Sequence, residues 1–357
     1  MPGLALRPGV RPALDSHWQT ETGGHVISLR WSPGGTAIAA ATADGPILIL
    51  DEDSGRPRVM LPGHRGGSVQ VDWRPGADSQ GGVLASAGCD GLVRIWHPHL
   101  GAEMMTLEAG AEWVERIAWS PTGEFLATAA GRKLRLWDFR DPAALGKLLH
   151  AFPDHQSTIA DIAWKPGPQN VLASCGYNGL AFWSPAKPDA TRKFDWKGSM
   201  LTLAWSPDAK YIATGNQDST IQFWYVDSGK ELQMWGYRTK IRELAWDCRS
   251  RFLASGGSAT GVVWDCSGKG PAGTKPHLLE YHSALLSQLT YQSEGTILAS
   301  GCQEGLVAMW RPGKDKQPLA TAHLGSAITQ LSWTPSNKRL AAGTAAGLVT
   351  VFRTPKV

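Results

Sequence analysis

The chain has 357 residues, of which 42% are hydrophobic and 18% charged, the balance of a protein that buries a core. Its 35 Lys+Arg against 31 Asp+Glu leave a net charge of +4 with no basic run, which disfavours nucleic acid as a partner. No apolar stretch reaches the roughly 18 residues of a membrane span, and five cysteines without a CxxC pair disfavour a disulfide framework and fit an intracellular, cytoplasmic setting (nuclear also, in a eukaryote).

Residues 1–15 are broken by Pro2, Pro8 and Pro12 and lack the apolar run of a secretory signal, so they read as a flexible tail before a single domain over 16–353. Ser16-His17-Trp18-Gln19-Thr20-Glu21 alternates as a strand and ends at Gly23-Gly24. From there the chain repeats. Strands end on Trp31, Trp73, Trp119, Trp164, Trp205, Trp246, Tyr291 and Trp333, spaced 41 to 46 residues apart, most followed by a turn such as SPGG or SPTG. After each comes a small-residue strand, such as IAAAT or LASAG, and then a tight turn and a third strand. A second aromatic or apolar series closes the unit at Leu50, Trp96, Trp137, Trp183, Trp224, Trp264, Trp310 and Phe352. A more polar fourth strand, for example KELQMW, leads into the next unit, and no segment keeps a helical period. The pattern predicts an all-β ring of eight four-stranded units, with seven as the alternative.

The Trp137-Asp138 and Trp264-Asp265 pairs, Gly63-His64 and the repeated aromatic-Ser-Pro turns resemble the WD40 family of β-propellers over essentially the whole chain. That resemblance implies a structural hydrogen-bond tetrad in each unit. Repeat 2 carries it in full as His64, Ser86, Asp90 and Trp96. Repeat 4 has His155, Ser174, Asn178 and Trp183; repeat 7 has His282, Ser300, Glu304 and Trp310. Repeat 5 keeps Thr214, Asp218 and Trp224 but has Trp196 in place of the His, and repeats 1, 3, 6 and 8 largely lack the set. The last unit also lacks a fourth strand, because only RTPKV follows Phe352. The N-terminal Ser16–Glu21 segment is expected to supply it, since an unclosed ring would leave two open edges.

Strand alternation points one set of side chains into a central channel: Arg30, Asp72, Ala118, Ala163, Ala204, Ala245, Thr290 and Ser332, with Ser28, Gln70, Arg116, Asp161, Thr202, Glu243, Gln288 and Gln330 beyond them. Asp161 and Glu243 lie two repeats apart, too far to work as an acid/base pair, and no nucleophile, phosphate-loop or HExxH motif is present. His97-Pro98-His99 is a His-x-His loop whose metal-binding reading has little support, so no catalytic residue, metal or cofactor is assigned.

The resemblance further implies that partners dock on the face formed by loops entering the inner strands and by turns between second and third strands. Trp113, Tyr177, Lys240, His25, Gln217 and Arg238 are the candidates there. Of the tryptophans outside the two series, Trp113 alone falls in such a loop; Trp18, Trp196 and Trp235 are expected to pack between repeats. Glu112, Glu115 and Asp154 form an acidic sector on repeats 3–4, and Lys197, Arg238, Lys240 and Arg242 a basic one on repeats 5–6. The expected function is a non-catalytic scaffold that binds proteins or peptides, a monomeric propeller within a larger complex and away from membranes. A metal-handling or small-ligand accessory protein is the alternative.

Overall fold

The computed structural model describes residues 12–76 and 82–355, and among these thirty strands and no helix occur. Each repeat starts on an inner strand ending at its first-series aromatic, as in Val26–Trp31 and Ser68–Trp73. The second strand, for example Ala37–Thr42 or Leu84–Gly88, is buried along its whole length. Most of its side chains are small, because a neighbouring repeat packs on either face. The third strand carries the closing aromatic, and the outer strand, such as Pro57–Leu61, is largely exposed.

All-β propeller architecture is thus present, and the ladders are antiparallel throughout. The expectation of eight separate sheets needs correction. The strands form seven hydrogen-bonded sheets, six of four strands and one of six. The larger one arises because Lys187–Trp205 is a single 19-residue strand. Its first part pairs with Leu172–Ser184 in repeat 4, while Met200–Trp205 pairs with Tyr211–Asn216 in repeat 5. Where other repeats are separated by a loop, these two are joined by continuous β-structure. By sheet count the ring is therefore seven, the alternative figure, with two sequence repeats sharing one sheet.

Inner strands from all the repeats stand side by side around the channel, and Val26–Trp31 packs on Ile328–Trp333 to close the circle. A fastening that the repeat pattern did not disclose runs around most of it, interrupted at Trp119 and Tyr291, whose indole N–H and hydroxyl have no partner among the described residues. The indole N–H of Trp73 donates to the carbonyl of Arg30 at 3.1 Å, one strand back. Trp164, Trp205, Trp246 and Trp333 do the same to Ala118, Ala163, Ala204 and Thr290, and Trp31 donates to Ser332 across the junction of the two chain ends. Each such bond satisfies an indole between repeats, which explains why tryptophan recurs at this position.

Closure follows the expected route. Ser16–Glu21 pairs antiparallel with Leu348–Arg353, with Trp18 opposite Val351 and Glu21 opposite Leu348. Trp18 is buried, stacks on Gly55 and donates its indole N–H to the Glu52 carbonyl at 2.9 Å, so it does pack between repeats. The expected 1–15 tail is shorter than that boundary. Leu14 is buried and its N–H donates to Thr321, while Thr321 donates to Pro12, so residues 12–15 are anchored beside the seventh repeat's outer strand. Residues 1–11 of that tail lie outside the described residues.

Candidate functional site

The loops of the candidate face are held from beneath by the tetrads. In repeat 2 the indole N–H of Trp96 donates to Ser86 Oγ at 2.8 Å, and Ser86 Oγ lies 2.7 Å from His64 Nε2. With Nε2 accepting, the ring proton sits on Nδ1, 2.8 Å from the Asp90 carboxylate. Gly88 permits this, since a Cβ there would meet the imidazole of His64 at 2.1 Å. Burial lowers the His64 pKa against the opposing pull of Asp90.

The other sets are less complete than their residues imply. His155 and His282 bond Ser174 and Ser300 at 2.9 and 2.7 Å, and Trp183 and Trp310 bond the same hydroxyls. Asn178, however, donates to Gln156, and Glu304 accepts from Ser283, so neither reaches its histidine. Both imidazoles have Nδ1 without a partner, and burial pushes both pKa values down to about 4. In repeat 5 the set is not assembled: Thr214 Oγ1 and the Trp224 indole lack partners, and Asp218 accepts from Thr220. Repeat 3 keeps only Trp137 donating to Thr128. Repeat 6 was expected to lack the set, yet Tyr237 replaces the histidine, its hydroxyl 2.7 Å from Ser255 Oγ and accepting from Trp264 at 2.8 Å. The signal was in the spacing, because Tyr237 precedes Ser255 by the 18 residues that separate His282 from Ser300.

The channel side chains tie neighbouring inner strands together. Ser28, Gln70 and Asp161 accept the backbone N–H of Val71, Ile117 and Leu203, each in the next repeat. Asp161 also takes Arg116 at 3.2 Å and the hydroxyl of Thr202 at 3.0 Å. Asp72 accepts from Trp119 N–H at 2.8 Å, and burial in the channel wall raises its pKa to about 6. Arg30, Asp72, Gln288 and Gln330 line a cavity of about 580 Å³, and Arg116, Asp161, Arg242 and Glu243 one of about 380 Å³. Asp72 and Asp161 are engaged in holding strands, while Asp161 and Glu243 line the same cavity with no hydrogen bond between them among the described residues. Among the described residues no three His, Cys, Asp or Glu converge on one point, the His97–His99 loop included.

The candidate docking residues are exposed and lie in or near loops into inner strands or the ends of second strands. Trp113 is 63% exposed on the loop between Ala102–Glu108 and Arg116–Trp119, which is bonded to the turn of repeat 2 through Val114 N–H to Gly88. Tyr177 is 51% exposed within the strand Leu172–Ser184 of repeat 4, where a turn was expected, and pairs with Ser199. His25, Gln217, Arg238 and Lys240 are all exposed on equivalent loops and turns. Trp235 departs from expectation: it is 79% exposed and packs between no repeats. It directly follows the outer strand Glu231–Met234 and starts the loop into repeat 6, on the same face. Strand alternation beyond Met234 places it outward, but where that strand stops was not readable from KELQMW. Trp196, by contrast, is half-buried beside Gln222 as expected.

The WD40 model, described as WD domain, G-beta repeat, matches residues 55–97, 101–138, 146–183 and 191–225. Each matched segment opens near an outer strand and ends on a third strand, so the sequence unit is offset from the sheet by one strand. The chain is 24% identical over 163 residues to the WD repeat-containing protein srw1 of Schizosaccharomyces pombe, covering 44% of this chain and 28% of that protein. It is 25% identical over 181 residues to the protein transport protein sec13 of Aspergillus fumigatus, covering 44% and 58%. The chain therefore spans about a quarter to three fifths of the length of these relatives. The crystal structure of the computationally designed Ika8 protein superposes with a TM-score of 0.79 at 19% identity, over 97% of this chain and 100% of that one, a likeness of fold.

Proposed function

We propose that this chain, a propeller with WD40 repeats, is a non-catalytic scaffold that binds a protein or peptide segment across its loop face. One observation carries the reading: three large aromatic side chains stand exposed toward the loop face, Trp113 and Trp235 on loops and Tyr177 on the strand Leu172–Ser184. Exposed Trp and Tyr are the side chains that anchor interfaces, because each buries a large area at little conformational cost. His25, Gln217, Arg238 and Lys240 add polar groups around them. WD40 propellers as a class serve protein interaction, which agrees with this use of the face. In the channel, Asp72 and Asp161 are committed to backbone N–H groups and to Arg116, which supports a structural use of these carboxylates. Five free cysteines support a reducing, intracellular setting.

The test is affinity capture with the full chain against a Trp113→Ala plus Lys240→Glu variant. Loss of most captured partners is the expected outcome. Retention of every partner would place the binding surface elsewhere.

A further inference from the structure

The two charged sectors of the loop face differ in how their charge is used. In the acidic one, Asp154 is ion-paired with Lys133 at 2.9 Å and Glu115 accepts the Gly131 N–H at 2.8 Å. In the basic one, Lys197, Arg238, Lys240 and Arg242 have no side-chain hydrogen bond or ion pair among the described residues. These cations are also brought together by the backbone. Gln217 N–H donates to Ser199, two residues from Lys197; Ile241 N–H, next to Lys240, donates to Asn216; Thr239 N–H, between Arg238 and Lys240, donates to Gly257. Tyr177 pairs across the strands with Ser199, and Trp235 opens the loop that carries Arg238 and Lys240. One continuous surface over repeats 4–6 therefore holds unneutralised positive charge flanked by two exposed aromatics.

We propose that this surface takes an acidic peptide segment of a partner protein, with an apolar or aromatic side chain of that segment set against Trp235 or Tyr177. The inference rests on the loop face being the partner surface and names the chemistry of what it binds. Charge complementarity selects the sign of the partner, since unpaired cations lose hydration on burial and need carboxylates in exchange. Exposed Asp218 stands beside Gln217 on this surface, so its charge is not uniformly positive, which suits a peptide that spaces its carboxylates and disfavours a continuous phosphate backbone.

The full chain is presented to an array of short synthetic peptides of graded net charge and to an oligothymidylate, at low and physiological salt. Two variants are run beside it: Lys197→Glu with Arg238→Glu and Lys240→Glu, and Trp113→Ala. All these side chains are exposed, so both variants should melt with the wild type. Enrichment of acidic peptides, lost at least tenfold in the triple variant, supports the proposal. Enrichment of basic or neutral peptides that depends on Trp113 overturns it while leaving the loop face as the binding surface. Peptides bound equally by all three proteins overturn both readings. Absence of any acidic enrichment, or tighter binding of the oligothymidylate than of any peptide, also overturns the proposal.

Discussion

Repeats 2 and 8 build the same four-stranded ladder and hold it by opposite means. Repeat 2 is fastened from within, by a buried relay from Trp96 through Ser86 and His64 to Asp90, all within 33 residues of chain. Repeat 8 has Phe352 where the indole would be and no relay. It is fastened instead by Ser16–Glu21, a strand from the far end of the sequence, with Trp18 buried behind it. The difference shows that the tetrad is one way of keeping a sheet together and not a condition for it. A locally satisfied polar network and a chain-end strand reach the same result, the first through hydrogen bonds that cannot be left unmade, the second through apolar burial and edge pairing.

The most severe way to break this comparison is to delete residues 1–21. Repeat 8 then loses its outer ladder and the Trp18 contact, a loss of about 3–5 kcal/mol from the tryptophan alone, and exposes the edge of Leu348–Arg353. Thermal unfolding should shift down sharply and ultracentrifugation should show association through that edge. An unchanged, monomeric melt would mean the strand is dispensable. Ser86→Ala comes next. It strands both the Trp96 indole and His64 Nε2 in the core, a cost of about 2–4 kcal/mol measurable by denaturant titration, whereas a shift below that of an exposed serine would deny the relay any structural weight.

A smaller effect separates repeat 2 from repeats 4 and 7. His155 and His282 are held neutral, with pKa values of about 4 against about 6.5 in the unfolded chain. As pH falls from 6.5 toward 4 the unfolded state takes up their protons and the folded state does not, so stability is lost across that window, by as much as ~3 kcal/mol for each. His282→Phe should flatten the dependence of the melting temperature on pH, and an unaltered slope would sink the assignment. Asp72 works against this trend, because its raised pKa makes the folded state gain from acidification between its unfolded value and about 6. The smallest effect belongs to Arg353, which bonds Asp15 at 2.9 Å and His17 at 2.7 Å on the surface of the closure. Arg353→Ala should cost under ~1 kcal/mol, and a larger loss would show that charge, not Trp18, holds the N-terminal strand.

Much of this was readable before any coordinates. The aromatic series announced the repeat because each residue in it meets the same surroundings, and the missing outer strand after Phe352 pointed to the other chain end. Three features were not legible from residue type alone, for different reasons. The fusion of repeats 4 and 5 depends on Lys187–Trp205 holding extended backbone past Gly198, and a glycine is equally compatible with a loop. Tyr237 replaces a histidine because a hydroxyl can both accept from an indole and bond a serine, an equivalence of chemistry and not of residue type. Trp235 was assigned to packing because exposure at a strand end is decided by where pairing stops. Among the site candidates, loop position led to the exposed Trp113, while Tyr177 is exposed on a strand and not on the turn expected; which neighbouring charges were already spoken for needed the ion pairs.

Ser16 lies opposite Phe352, so the two ends of the chain meet inside one sheet. The place where one counts the first repeat is then arbitrary in a closed circuit of similar units. A circularly permuted gene, joined here and opened at another exposed turn, would encode the same ring.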